Sequence, residues 1–181
     1  MITSEQTRKD GPVSKAGNMN MRPPDPVPAT EQPSVAPQVA ALCWRLRKGL
    51  VEVLLITSRE TERWVIPKGW PMNGLSAAEA AAREAWEEAG VRGRVQSQPL
   101  GTYGYDKIIG PAQVKRCRVA VFALEVGGLK DRFPEMAERK RRWFAAADAA
   151  ALVAEPDLSA LLTAIAAEPG RLSGSIPGGT A

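Results

Sequence analysis

Glu84, Glu87 and Glu88 stand in the run SAAEAAAREAWEEAG at i, i+3 and i+4, so on a helix three carboxylates share one face within a single turn. Such a cluster is unfavourable locally. Two like-charged neighbour pairs cost roughly 0.2 to 0.5 kcal/mol each, and Glu87 and Glu88 fall in the last turn, where the helix dipole disfavours an anion by roughly 0.3 to 1 kcal/mol. A solvated acidic face is the ordinary alternative, but positions that run against local preference are where function is sought. Oxygen ligands at this density suit a hard divalent cation, magnesium or manganese, whose charge offsets the repulsion. The rest of the composition narrows the chemistry further. There is no histidine among the 181 residues, which excludes Ser-His-Asp and Cys-His nucleophile pairs and imidazole-ligated metals. Cys43 and Cys117 lie far apart in apolar, alternating segments; two reduced, buried thiols in a cytoplasmic protein are expected rather than a disulfide scaffold or a thiolate zinc cluster.

The elements that must position the carboxylates follow from periodicity and turn chemistry. In the acidic run, Ser76 is a favourable N-cap, Glu79 three residues on completes a capping box, alanines fill the middle and Gly90 supplies the stop. On that helix Ala78, Ala82, Ala85, Ala89 and Trp86 take the arc opposite the acids and are expected against a sheet, with the acids pointing to a loop or to solvent. Val39 to Arg45 and Val51 to Thr57 predict a hairpin turning at Leu46 to Leu50, and Trp64 to Ile66 a short strand ahead of a loop from Gly69 to Gly74. Arg94 to Tyr105 and Val114 to Val126 predict longer strands around a turn at Gly110 and Pro111. A short strand, Arg142 to Phe144, precedes helices over Ala146 to Val153 and Leu158 to Ala167. Strands and helices interleave through links mostly too short for repeated crossovers, so the expected class is α/β (α+β), a mixed sheet with helices packed on it.

Residues 1–37 carry runs such as RPPDPVP, few large apolar residues and four basic against four acidic side chains, the composition of a disordered tail that is no nucleic-acid-binding arm. The stretch 169–181 is expected to be a flexible tail as well, leaving 38–168 as one folded domain. The longest apolar runs are about half the roughly 20 residues a membrane helix needs, and the start MITSEQTRKDG has no apolar stretch behind its charges. Neither a membrane span nor a secretory signal is expected.

The run GWPMNGLSAAEAAAREAWEEAGV, Gly69 to Val91, resembles the Nudix box, G-x5-E-x7-R-E-U-x-E-E-x-G-U with U apolar, at Gly69, Arg83, Glu84, Ala85, Glu87, Glu88, Gly90 and Val91. Leu75 stands where the pattern has its first Glu. In the family that Glu braces the loop against the helix, and Glu79, four residues before Arg83, is the available substitute. The resemblance implies a Nudix-fold α/β/α sandwich and hydrolysis of a nucleoside diphosphate linked to another moiety. It also implies a metal on Glu84, Glu88 and the carbonyl of Lys68, with Arg83 and Glu87 as catalytic residues, Glu87 being the general base.

Beyond the box, VAALCWR, VEVLLITSRETERWVIPKG, EAGVRG and ERKRRWF look like the corresponding stretches of the diphosphoinositol polyphosphate and diadenosine polyphosphate phosphohydrolases. Ser58, Arg59 and Arg139 match substrate-contacting positions of that subgroup, whereas Ala36, Pro37 and Gln38 are neutral where it has a basic residue. Charge supplies an independent argument. From Lys107 to Arg142 there are ten basic and four acidic residues in a chain whose net charge is +4, so this stretch carries more than the whole positive excess. A polyphosphorylated small molecule as partner fits such a wall opposite the acidic helix. Scarce aromatics, 6% of residues, disfavour nucleic acid, although Trp70 in the box loop is placed to stack on a base. Other nucleotides (ADP-ribose, NADH, oxidised dNTPs, RNA 5′ ends) are alternative substrates. A non-catalytic nucleotide-binding module is the alternative function, disfavoured because such a module has no use for three carboxylates that repel phosphate.

Overall fold

The two alternating segments do form a hairpin: β1 (Ala36–Arg47) and β2 (Leu50–Thr57) pair antiparallel from Trp44↔Val53 to Arg47↔Leu50 around Lys48 and Gly49. The computed structural model describes residues 35–173. Downstream come β3 (Trp64–Val65), β4 (Lys68–Gly69), α1 (Ala77–Ala89), β5 (Val91–Gly110), β6 (Gln113–Leu129), β7 (Arg141–Ala145), α2 (Ala146–Leu152) and α3 (Pro156–Ala167). The strands make one mixed sheet in the order β3-β2-β1-β6-β5, with β4 also on β1 and β7 also on β2. Only the β1–β6 pair is parallel.

Helix α1 covers one face of the sheet and α2 and α3 the other, because each strand alternates its side chains between two apolar layers. Val39, Ala41, Cys43, Leu54, Ile56, Phe122 and Leu124 pack under the alanines of α1. Leu42, Val53, Leu55, Val119 and Val121 meet Leu158, Leu162 and Ile165 of α3. The small residues let α1 lie close to the strands. Its buried side is Ala78, Ala80, Ala81, Ala85 and Ala89, which corrects the expected arc. Trp86 is half-buried with the Arg92 guanidinium 4.2 Å from the centroid of its ring, and Ala82 sits at the flank.

Both ends of the folded domain differ from the sequence expectation. Ala36 and Pro37, assigned to a tail, belong to β1 and lie in register with Cys117 and Arg118; the rest of that segment, 1–34, is outside the described residues. Pro169–Ser173 form a 3₁₀ turn rather than a loose end, because Leu172 is fully buried with the α3 core; 174–181 are outside the described residues. Both cysteines are buried free thiols. Among the described residues no helix is long and apolar enough to cross a membrane.

Candidate active site

The site is organised by where α1 begins and ends. Ser76 accepts from the Glu79 N–H at 3.3 Å while the Glu79 carboxylate accepts from the Ser76 N–H at 2.8 Å and from its hydroxyl at 2.7 Å, a closed capping box. Glu79 is therefore occupied at the cap. It does not take the place of the Glu missing at Leu75, and Arg83 pairs instead with Glu87 at 3.8 Å. At the other end Gly90 adopts φ 66° and ψ 23°, and no basic residue of α1 itself meets the terminal carbonyls. The compensation comes from β7: Arg141 donates to the Ala89 and Lys130 carbonyls, both at 2.7 Å. A helix with acids at its C-terminal end is thus neutralised by cations from a distant strand.

Of the two expected surroundings for the acids, a loop or solvent, Glu84 and Glu88 take the first: they face the segments around Lys68 and Arg139 across a cleft. The cleft, of about 280 Å³, is lined by Ser58, Arg59, Lys68, Glu84, Glu88 and Arg139 among the residues singled out from the sequence, but not by Arg83 or Glu87. Glu88 is only 6% exposed. One of its oxygens accepts the Lys68 backbone N–H at 2.9 Å, and the other accepts Nη2 of Arg139. Arg139 in turn donates Nε to Glu135 at 2.7 Å and Nη1 to the Thr57 carbonyl at 3.0 Å. Beside them the backbone of Gly69 presses on Glu84: a Cβ there would lie 2.0 Å from Glu84 Oε1. Any larger side chain at the box glycine would push the end of Glu84 aside.

Electrostatics follow from this crowding. Burial, then the charges of Glu88, Glu87 and Glu135, push the Glu84 carboxyl up to about 7. Burial also raises Glu88, opposed by Arg139 and by the Lys68 N–H and ammonium. Burial lowers the Lys68 ammonium, opposed by Glu88 and Glu155. Glu84 thus has like charges around it and no offsetting hydrogen bond, the environment of a carboxylate suited to a cation. Among the described residues no three acidic or thiol side chains stand together as a ready-made metal cage. Two carboxylates with no thiolate or imidazole among the described residues of the cleft lining fit a hard cation such as magnesium or manganese better than softer metals, since magnesium usually keeps several waters.

The basic residues matched to substrate contacts are already engaged. Arg59 lies 3.6 Å from Glu138 and 3.9 Å from Glu135, and Arg139 is on Glu88. The Ser58 hydroxyl shares a hydrogen with Thr61 at 2.7 Å and accepts the Arg63 N–H at 3.1 Å, which folds the 58–63 loop. Cleft residues without a local signal include Gln38, which accepts the Tyr105 hydroxyl at 2.7 Å, and Arg63, held by Glu155 at 3.4 Å; Lys107, the first residue of the basic stretch, also lines the cleft. The run of basic residues after Lys107 was visible in the sequence; which of them reach the cleft was not.

Comparison with known proteins agrees with this architecture. The chain is 34% identical over 102 residues to Nudix hydrolase 12, mitochondrial, of Arabidopsis thaliana, covering 55% of this chain and 50% of that one. It is 32% identical over 114 residues to diphosphoinositol polyphosphate phosphohydrolase 3-beta of Homo sapiens, covering 62% and 65%. The matches therefore span about half to two-thirds of those relatives. Among solved structures, C. elegans Ap4A hydrolase superposes with a TM-score of 0.54 at 21% identity over 74% of this chain and 98% of that one. E. coli dihydroneopterin triphosphate pyrophosphohydrolase does so with 0.55 at 18% over 74% and 99%. These likenesses show the same α/β/α sandwich with a mixed sheet. Since the NUDIX domain pattern matches residues 36–164, from the first strand through most of α3 and including Gly69, Glu84 and Glu88 of the cleft, this chain belongs to the NUDIX family.

Proposed function

We propose that the chain is a metal-dependent hydrolase that cleaves a phosphoanhydride bond in a polyphosphorylated small molecule of the diadenosine polyphosphate or inositol pyrophosphate type. The observation that carries this reading is the placing of Glu84 and Glu88 in one cleft with Lys68, Arg59 and Arg139. A diphosphate repels nucleophiles with its own negative oxygens, and hydrolysis needs that charge neutralised where a water attacks. Magnesium or manganese held by Glu84, Glu88 and the Lys68 carbonyl would neutralise those oxygens and acidify the water. The protein's part is positional: the Lys68 N–H and Arg139 fix Glu88, Gly69 leaves room for Glu84, and Lys68 adds a cation to the cleft lining. Glu87 as general base, with Arg83, rests on the resemblance, because its carboxylate stands with Arg83 outside the cleft wall. Similarity to a diphosphoinositol polyphosphate phosphohydrolase and, in fold, to an Ap4A hydrolase supports the substrate class.

The test is release of phosphate from a panel of diadenosine polyphosphates, inositol pyrophosphates, ADP-ribose, NADH, oxidised nucleotides and 5′-triphosphate RNA, with and without EDTA. Glu88→Gln is expected to lower kcat at least about 10²-fold with the fold retained, as when a metal ligand is lost. Full turnover in excess EDTA, or near-normal turnover in Glu88→Gln, defeats the proposal.

A further inference from the structure

Lys107 and Lys115 are directly opposite each other in the β5–β6 ladder. Like charges in that relation destabilise a sheet, whereas opposite charges support it. The next pair along the ladder, Asp106↔Arg116, obeys the rule with a 3.0 Å ion pair; the lysine pair violates it. Neither lysine has an acidic partner among the described residues, although Arg59, Arg63, Arg139, Lys140 and Arg141 all do. Both ammoniums instead converge on one aromatic ring: Nζ of Lys107 lies 5.1 Å and Nζ of Lys115 5.2 Å from the centroid of Trp70. Trp70 follows Gly69, the residue pressed against Glu84, and with Lys107 it lines the cleft.

We infer that Lys107 and Lys115, steadied by Trp70, form an anion subsite for the phosphates of a substrate that extend beyond the bond being cleaved. This rests on the hydrolase reading above and names the feature its site selects, the length and charge of the phosphate chain. The physical argument is one of neutralisation. The arginines of the cleft are spent on protein carboxylates, so a polyanion gains most from cations that are unpaired and already held together at a cost in repulsion. The indole face lowers that cost by attracting both ammoniums without neutralising them. A chain of phosphates with its reacting group at Glu84 and Glu88 passes Trp70 to reach them. The subsite therefore distinguishes a long polyphosphate from a two-phosphate nucleotide.

The experiment uses the full chain and the variants Lys107→Gln, Lys115→Gln and the double variant. Binding of inorganic tripolyphosphate is measured by calorimetry in EDTA, and kcat and KM are measured for a pentaphosphate-bridged dinucleotide and for ADP-ribose. The double variant is expected to bind tripolyphosphate at least about tenfold more weakly. It should also raise KM for the pentaphosphate substrate at least about tenfold, with a much smaller rise for ADP-ribose and a smaller change in kcat than in KM. Each single variant should melt at the same or a higher temperature than the parent, because a like-charge pair is relieved. Unaltered tripolyphosphate affinity in the double variant, or an equal rise of KM for both substrates, overturns the inference. If the parent hydrolyses nothing in the full substrate panel above, the hydrolase reading fails, and the tripolyphosphate comparison still decides the subsite.

Discussion

Replacing Glu84 by Gln in the metal-free protein should stabilise the fold at pH 8 and leave it unaltered at pH 4. The Glu84 carboxyl is ordinarily half-protonated near 4.5, and burial together with Glu88, Glu87 and Glu135 raises this to about 7. Below 4.5 the folded and unfolded chains are both protonated at this residue, so it contributes no difference. Between 4.5 and 7 the unfolded chain has released its proton and the folded chain has not, so stability falls as pH rises; above 7 the deficit is constant. At full weight the difference corresponds to about 3 kcal/mol. Water reaches part of the carboxyl and screens its neighbours, so about 1 to 2 kcal/mol is expected. For a chain of this size that is a rise in Tm of about 2 to 8 °C for Glu84→Gln at pH 8. Thermal and urea melts of parent and variant in EDTA from pH 4 to 8 measure it, since groups common to both cancel in the difference. Magnesium or manganese at pH 8 should stabilise the parent more than the variant, because the cation neutralises the charge that Gln lacks. A variant less stable than the parent at pH 8, or a stability difference that does not vary with pH, refutes the argument that Glu84 is a carboxylate held against its preference.

Three further outcomes follow from named contacts. Gly69→Ala puts a methyl 2.0 Å from Glu84 Oε1; the end of that side chain can swing away, so melting should move little while kcat falls about 10- to 100-fold, and parallel loss of both would indicate a packing defect. Arg139→Ala leaves the buried Glu88 with only the Lys68 N–H and should cost about 3 kcal/mol in urea unfolding; a loss under about 1 kcal/mol would mean that Arg139 is free to serve the substrate. Ser76→Ala should cost about 1 kcal/mol at neutral pH. Part of that cost should disappear in acid, because the cap holds the Glu79 carboxyl below its ordinary value, and stabilisation from a lowered carboxyl is lost as pH falls through the folded value; a cost that is the same in acid as at neutral pH would show that the cap does not act through Glu79.

Much of this molecule was legible in its sequence where the deciding forces are short-range. The capping box at Ser76 and Glu79 and the left-handed Gly90 are interactions between residues at most five apart, so the limits of α1 followed from the chain alone. The β1–β2 hairpin followed from alternation and a turn in the same way. The spacing of Glu84 and Glu88 on one helical turn was visible in the chain, and with it the expectation of divalent-cation chemistry. Tertiary structure decided which of those charges meet and which stay apart. Glu88 is buried rather than solvated because Lys68, 20 residues before it, and Arg139, 51 residues after it, close over it. Arg141 offsets the acids at the end of α1 from a separate strand, and Glu79 was unavailable to Arg83 because the cap had already taken it. Lys107 and Lys115 are eight positions apart in a basic run, and only the register of β5 on β6 sets them opposite each other over Trp70. Helical and turn propensities act over a few bonds and are carried by each segment, whereas burial, counterion choice and desolvation depend on which distant segments the sheet brings together.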